Sequence, residues 1–303
     1  VFGGLITTLL VVMAPVGPVH LAHDIWTGSA PLDAAAVVRL QGLGVRTIVS
    51  VDALPSPEVA GVRCVHLPVG YDELPASFQA SMLVVWRDCP RPIYVHCHRG
   101  HNRGPAAAVT LLRSLGRLDQ EQAQSLMLQC GTSMAYPGLW RSMRSAVPIS
   151  SQALSMLHAP PLQSKQQVGS IAAGMAAMDR SWSNVLRART ARFASNAATS
   201  APVDAAAITD HLRQLKELTR KRSSQWQRGI SLALEGANAL EAALKRGDVD
   251  QAVLVSSWMD QHCTGCHARF RDGLSDVVVV GRPPWPTAHE DWFSPSSAQA
   301  AGP

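Results

Sequence analysis

Residues 93–103 read Ile-Tyr-Val-His-Cys-His-Arg-Gly-His-Asn-Arg, and residues 104–116 continue Gly-Pro-Ala-Ala-Ala-Val-Thr-Leu-Leu-Arg-Ser-Leu-Gly. The first four residues form a short apolar strand, and residues 106–115 form an apolar helix that stops at Gly116. A strand, a loop ending at Arg103 and a helix aim successive backbone N–H groups at one point, where they join the helix N-terminus as an anion site. That field favours a thiolate at Cys97. Arg103 carries a planar fork that holds two phosphate oxygens and stabilises charge in a transition state. Gly100 lets the backbone approach the anion closely. The phosphate-binding set is therefore His98, Arg99, Gly100, His101, Asn102 and Arg103. The basic character from His98, Arg99 and His101 favours highly charged phosphates, with simple surface polarity of the two histidines as the alternative. The chemistry these residues suit is attack by Cys97 on a phosphate monoester through a cysteinyl-phosphate intermediate.

Outward from this loop, strand-like and helix-like runs alternate. Residues 31–43 read as a helix closed by Gly44, 46–52 and 63–69 as strands, and 77–86 as a helix. Residues 119–128 read as a helix capped by Asp119, with Glu121 in its first turn. Alternation of this kind predicts an α/β domain over residues 18–148, with a mainly parallel sheet flanked by helices.

The remainder has a different rhythm. Residues 149–166 are polar and interrupted by Pro160-Pro161, which predicts a linker. Residues 168–192, 204–222, 226–246 and 248–271 read as four helices, with Gly247 and Gly273 as stops. Short connections predict an all-α antiparallel four-helix bundle over 167–273. Residues 274–303 read as a largely disordered tail. Residues 263–267, Cys-Thr-Gly-Cys-His, carry the attachment signal of one covalent c-type haem: Cys263 and Cys266 form thioethers to the vinyl groups, and His267 is an axial ligand to iron. Half of a zinc site is the alternative. It needs a second Cys/His pair, and downstream of His267 only His289 is on offer.

Composition frames both readings. The 303 residues suit two domains, 47% apolar content suffices for packed cores, and the net charge is +5. Basic residues gather over 213–228, including Arg213, Lys216, Arg220, Lys221 and Arg222. This run is either a solvated helix face or a docking face for an acidic redox partner protein. No nucleic-acid recognition motif is present. Residues 3–14 form an apolar run too short to span a bilayer; with residues 1–17 as a leader it resembles the core of a secretory signal. A buried first strand is the alternative. The haem signal favours export, because c-type haem is attached outside the bacterial cytoplasm, and so predicts a periplasmic protein. No further membrane span is expected.

The pattern His96-Cys97-x-x-Gly100-x-x-Arg103 resembles the signature of protein tyrosine and dual-specificity phosphatases. Residues 25–31 (Ile-Trp-Thr-Gly-Ser-Ala-Pro) and 43–50 (Leu-Gly-Val-Arg-Thr-Ile-Val-Ser) resemble small bacterial dual-specificity-like members. The resemblance covers roughly residues 18–148. It implies Cys97 as nucleophile, Arg103 as phosphate ligand and a loop Asp that protonates the leaving group. Asp72, in Gly-Tyr-Asp-Glu-Leu-Pro at 70–75, is the best match, with Glu73 its rival and a plain turn the alternative. The family usually places Ser or Thr after the Arg; Gly104 and Pro105 stand here, so phosphoenzyme breakdown is expected to be slow. In an oxidising compartment a low-pKa thiolate invites a disulfide, and Cys64, on a preceding strand, is the expected redox partner of Cys97.

The haem signal at the end of the last helix resembles the cytochrome c-prime and c556 family, including Phe270 and Arg271 after the His. This resemblance covers about residues 166–273. It implies Cys263 and Cys266 as attachment points, His267 as proximal ligand and Arg271 beside the proximal haem face. On the distal side it implies a residue of the first helix: Met178, with Met175 one turn away and Met259 and His211 as weaker candidates. A Met ligand gives an electron-transfer haem, and a non-ligating residue leaves the iron open to small gases. Trp182, Trp226 and Trp258 are expected to pack the bundle. Members of this family often dimerise, so a homodimer is expected. Two functions follow: an exported phosphatase that carries haem, or an electron-transfer or gas-sensing cytochrome with a catalytically weak anion-binding module.

Overall fold

The computed structural model describes residues 17–22, 24–166, 171–194, 200–274 and 283–284. The expected leader and nearly all of the expected disordered tail lie outside the described residues. Five strands form one sheet: β1 (Val19–Ala22), β2 (Ile25–Ser29), β3 (Thr47–Ser50), β4 (Arg63–His66) and β5 (Ile93–Cys97), in the order β1-β2-β5-β3-β4. β1 pairs with β2 antiparallel, and the other pairings are parallel. All residues of the central β5 are buried, as expected for a strand covered on both faces.

Six helices accompany the sheet: α1 (Ala34–Gly42), α2 (Ala76–Asp88), α3 (Arg103–Ser114), α4 (Gln120–Gln129), α5 (Pro137–Ser145) and α6 (Ser151–Met156). On one face α1 buries Val37 and Leu40 against Ile48 and Tyr94. On the other, Val49 and Val95 pack with Ala107, Leu111 and Trp140 of α3 and α5. Ile48 and Val49 are neighbours in sequence, so the pleat sends them to opposite cores. Local signals set the helix ends. Asp33 accepts from the Ala36 N–H ahead of α1, and Asp119 and Gln122 form a reciprocal capping box on α4. Pro137 opens α5.

The expected linker at 149–166 is instead packed structure. Ser150 caps α6, and Arg87 Nη1 of α2 donates to the carbonyls of Leu154 and Leu157 at 3.0 and 2.7 Å. Beyond α6, the carbonyl of Gln163 accepts from the His66 N–H at 2.8 Å, and that of Leu162 accepts from Arg63 at 3.0 Å. Polar, Pro-interrupted sequence marked an irregular path, but these backbone groups tie it to β4 and α2.

The C-terminal half is helical: α7 (Ile171–Thr190), α8 (Ala201–Leu218), α9 (Ser224–Arg246) and α10 (Val249–Phe270). Each packs on the next, and α10 returns to α7. Gly247, at φ +70°, closes α9. Ala237, Leu240 and Val255 form part of a core separate from that of the sheet. α8 is buried on several sides, because its Val203 and Ala206 also join the sheet-side core. Among the described residues no helix is long and apolar enough to cross a membrane.

Candidate functional site

Cys97 ends β5 opposite Ser29 of β2, and Arg103 opens α3 after the loop 98–102. Gly100 sits at φ +78°, and a Cβ there would stand 2.4 Å from the Gly28 carbonyl carbon and 2.5 Å from the Ser29 nitrogen. Only glycine meets both demands. The loop is held from outside: Ala30 N–H donates to the His98 carbonyl at 3.1 Å, and Thr132 donates to the His101 carbonyl at 2.7 Å. Asn102 precedes α3 without capping it. Its side-chain oxygen accepts from Ser133 N–H instead, at 2.9 Å, so the side chain leaves the first amides of α3 uncovered.

Gly104, where the phosphatases carry a hydroxyl, has a spatial reason. A Cβ there would lie 3.1 Å from the Cys97 nitrogen and 3.2 Å from Thr27 Oγ1. The Thr27 hydroxyl fills that space and donates to the Val95 carbonyl at 2.8 Å.

Arg103 is 1% exposed. Its Nη1 donates to the Val69 carbonyl at 3.0 Å, its Nη2 lies 3.0 Å from Asp52 Oδ1, and its guanidinium lies 4.3 Å above the Tyr71 ring. The buried Nε has no hydrogen-bond partner. The remaining partner comes from the helical half: Asp210 of α8 places Oδ2 at 2.7 Å from Nη1 and Oδ1 at 3.2 Å from Nη2. Arg213 of α8 in turn forks onto Asp52 at 2.9 and 2.8 Å. Burial raises the Asp52 pKa, but Arg213 and Arg103 overcome this and hold it well below the usual carboxylate range. Burial and the neighbouring Asp52 charge leave Asp210 raised despite Arg103.

The expected basic loop is corrected by its surroundings. Burial, with Arg213 and Arg99 adding repulsion, pushes His98 down to about 3, so it is neutral. Arg99 donates to Asn238 of α9 at 2.8 Å. His101 is buried with Nδ1 at 3.0 Å from the Cys130 carbonyl. His96 sits beneath the loop at 2.6 Å from Ser56 Oγ, and burial pushes it down to about 4.

Asp72 lies at the rim of the site, next to Tyr71, whose ring covers Arg103. Its side chain is exposed, as is that of Glu73. A Cβ on Gly138 of α5 would overlap the Asp72 carbonyl, and Ser142 Oγ accepts from Leu74 N–H at 2.8 Å. The loop is thereby pinned with Tyr71, not Asp72, over Arg103. The expected Cys64–Cys97 pair is also corrected. Both are free thiols, and β3 lies between their strands. Two strand spacings, roughly 9.6 Å, exceed the roughly 7 Å Cα separation a disulfide spans.

A second site lies inside the helical half. A cavity of about 90 Å³ is lined by Cys263, Cys266, His267, His262 and Met259 of α10, Met175, Met178 and Trp182 of α7, Ile208 and Leu212 of α8, and Gly229 and Ile230 of α9. Both thiols of the haem signal, its His and the two Met residues of α7 therefore meet at one largely apolar space. Burial pushes the Cys263 thiol up to about 12. Among the described residues no group of three or more His, Cys, Asp or Glu is placed to hold a metal ion. His262 stacks on Trp258 with ring centroids 4.9 Å apart, and its Nε2 is 2.9 Å from the Gly229 carbonyl. Trp226 packs edge-on to Phe270. Arg271, expected beside the haem face, is exposed and paired with Asp272 at 2.7 Å, and His211 lies on α8 outside this lining.

Asp52, Tyr71, Asp210, Arg213 and His262 were not singled out for these positions from sequence. Only Arg213 carried a signal, as part of the basic run, and that run suggested a solvated or docking face. α8 is the common wall of both sites. At 100° per residue, Ile208 and Leu212 face the cavity while Asp210, Arg213 and Gln214 face the Cys97 loop.

No protein-family model matches the chain, and no curated protein matches it. Among solved structures the chain is similar to TpbA of P. aeruginosa, at 21% identity over 46% of this chain and 89% of that one, with a TM-score of 0.36. It is similar to human DUSP28 at 23% identity over 44% of this chain and 96% of that one, with a TM-score of 0.37. It is also similar to OH1 from the Orf virus, described as a tyrosine phosphatase, at 20% identity over 44% and 87%, with a TM-score of 0.34.

Proposed function

We propose that the chain is a cysteine-dependent phosphomonoesterase whose helical half carries one covalently attached haem. The observation that carries the first part is the placing of Cys97 and Arg103 at the two ends of one glycine-turned loop, between a buried parallel strand and an uncapped helix N-terminus. In the proposed reaction Cys97 Sγ bonds to phosphorus as the ester P–O bond breaks. Arg103 and the loop amides hold the phosphoryl oxygens, and the leaving oxygen takes a proton. Asp72 is the proposed donor, from the rim one residue beyond the Tyr71 ring. Water then attacks phosphorus, the S–P bond breaks, and inorganic phosphate and the thiolate are released.

The second part rests on the convergence of Cys263, Cys266, His267, Met175 and Met178 on one cavity. Cys263 and Cys266 would hold the haem through thioether bonds, each S–H added across a vinyl group, and His267 and Met178 would supply ligands to its iron. Bound there, haem supplies one-electron or gas-binding chemistry. This part brings export with it.

The phosphatase test is hydrolysis of an aryl phosphate by the reduced, haem-loaded protein, with turnover that disappears in Cys97→Ser. The haem test is mass spectrometry of the peptide containing Cys263 and Cys266, with haem retained in denaturant. A second reading, a cytochrome with a weak anion-binding module, is favoured by Asp210 on Arg103 and by Gly104. It predicts phosphate binding at the loop without turnover, in any variant.

A further inference from the structure

The guanidinium meant for a phosphate is already engaged. Asp210 presents both carboxylate oxygens to the two terminal nitrogens of Arg103, at 2.7 and 3.2 Å, which is the fork geometry a phosphoryl group takes. The carboxylate belongs to the helical half. Its helix is fastened beside the site by Arg213 on Asp52 at 2.8 Å and by Gln214, which donates to the Ala53 carbonyl at 3.1 Å. α9 adds a second hold, with Asn238 accepting from Arg99 at 2.8 Å and Glu241 accepting from the Tyr136 hydroxyl at 2.5 Å. Beneath this cover Cys97 is 3% exposed.

The structure assigns α8 the role of an autoinhibitory latch, in which Asp210 stands in for the substrate phosphate on Arg103 and must leave before a phosphate can enter. This inference rests on the phosphatase-site reading above. The chemistry is that of competing anions: a carboxylate offers one charge and two oxygens, and a phosphate dianion offers two charges and three oxygens. Release does not strand the arginine, because Asp52 and the Val69 carbonyl remain on it. Nor is the closed state free of cost, since it keeps two carboxylates and two guanidiniums out of water.

The test uses the full-length, reduced, haem-loaded protein and inorganic phosphate as probe. Asp210→Asn is expected to bind phosphate about tenfold more tightly or better, the loss of one charge-assisted competitor. Gln214→Ala, which loosens α8 without altering charge at the site, is expected to tighten binding by a smaller factor in the same direction. In the wild-type protein, saturating phosphate is expected to speed amide exchange across α8 by about tenfold. Equal phosphate affinity in wild type and both variants, or α8 protection unchanged at saturation, overturns the latch. The hydrolase reading fails separately. Tighter phosphate binding in Asp210→Asn with no turnover keeps the latch and ends the hydrolase, whereas equal Cys97-dependent turnover with equal affinity does the reverse.

Discussion

The two candidate sites are built from opposite materials. The Cys97 site is made of charge and backbone: Asp52, Asp210, Arg103 and Arg213 alternate in sign within a buried cluster, around a loop whose shape Gly100 dictates. The cavity in the helical half is made of sulfur, imidazole and hydrocarbon on four helices. The loop of the first is fixed because backbone meets backbone at Gly100. The second is deformable because its walls are Met, Leu and Ile side chains, which adjust by rotation. Specificity by charge and accommodation by shape therefore sit in one chain, on either side of α8.

The largest expected effects separate the two sites. Cys97→Ser is expected to drop aryl phosphate hydrolysis to the uncatalysed background and leave covalent haem unchanged. Cys266→Ala is expected to lose the covalent double attachment and leave phosphate binding at the loop. Phosphatase assay and denaturing mass spectrometry on both variants read this, and a single variant that loses both properties would break the comparison.

One substitution made in both places sharpens it. Gly100→Ala forces a side chain into positive φ and against the Gly28 and Ser29 backbone, an expected loss of about 3 kcal/mol. In α9, an alanine at Gly236 meets Met259 Cγ at 2.8 Å and Trp258 Cζ3 at 2.9 Å. The Met can turn but the Trp ring, stacked on His262, must shift, so the helix gain of about 1 kcal/mol from the replacement of glycine offsets only part of the clash, and a loss of about 1 kcal/mol is expected. Denaturant melts of the two variants give the contrast directly, and equal losses would contradict it.

Acid is expected to act on the sheet side. His96 is held down to about 4, from 6.5, by burial. The unfolded chain therefore takes up its proton first as pH falls. Stability from this group is complete above about pH 6.5 and is lost progressively toward pH 4, about 2 kcal/mol by pH 5. His98 acts in the same sense. Melts at pH 7 and pH 5 are expected to show the loss, and His96→Asn is expected to flatten the slope. An unchanged slope would assign the acid sensitivity elsewhere.

The smallest effect concerns Gly104. Gly104→Ser brings back the hydroxyl that the resembled family carries. Contacts of 3.1–3.3 Å with Cys97, His96 and Thr27 make the expected stability cost about 1 kcal/mol or less. Breakdown of the phosphoenzyme is expected to quicken a few-fold, as the decay after a pre-steady-state burst. No change would mean that Thr27 already compensates.

Legibility in the sequence followed distance along the chain. The strand, loop and helix around Cys97, the cap at Asp119 and the stop at Gly247 are set by neighbours within a few residues, and reading those neighbours was enough. Ser150 and Pro137 carry the same kind of signal for α6 and α5, but these helices are too short to show a clear period. What no local pattern holds is who meets whom. The order that puts β3 between Cys64 and Cys97 is fixed by the whole sheet, not by either strand. Asp52 and Arg213 are 161 positions apart, and a half-buried, paired arginine within a run of basic residues looks like its solvated neighbours. Asp72 illustrates the converse: the motif was readable, but Gly138 packing on its carbonyl decides which side chain of that loop turns inward.

The position of α8 as a shared wall has a thermodynamic consequence. Eighteen residues form one continuous helix, and Ile208 and Asp210 are separated by about 3 Å of rise, so no relay is needed between the chambers. If a guest in the cavity prefers one setting of this helix, it alters phosphate affinity by some factor, and phosphate must alter the guest's affinity by the same factor. The two halves then constitute a transducer whose gain is a single number, readable from either end.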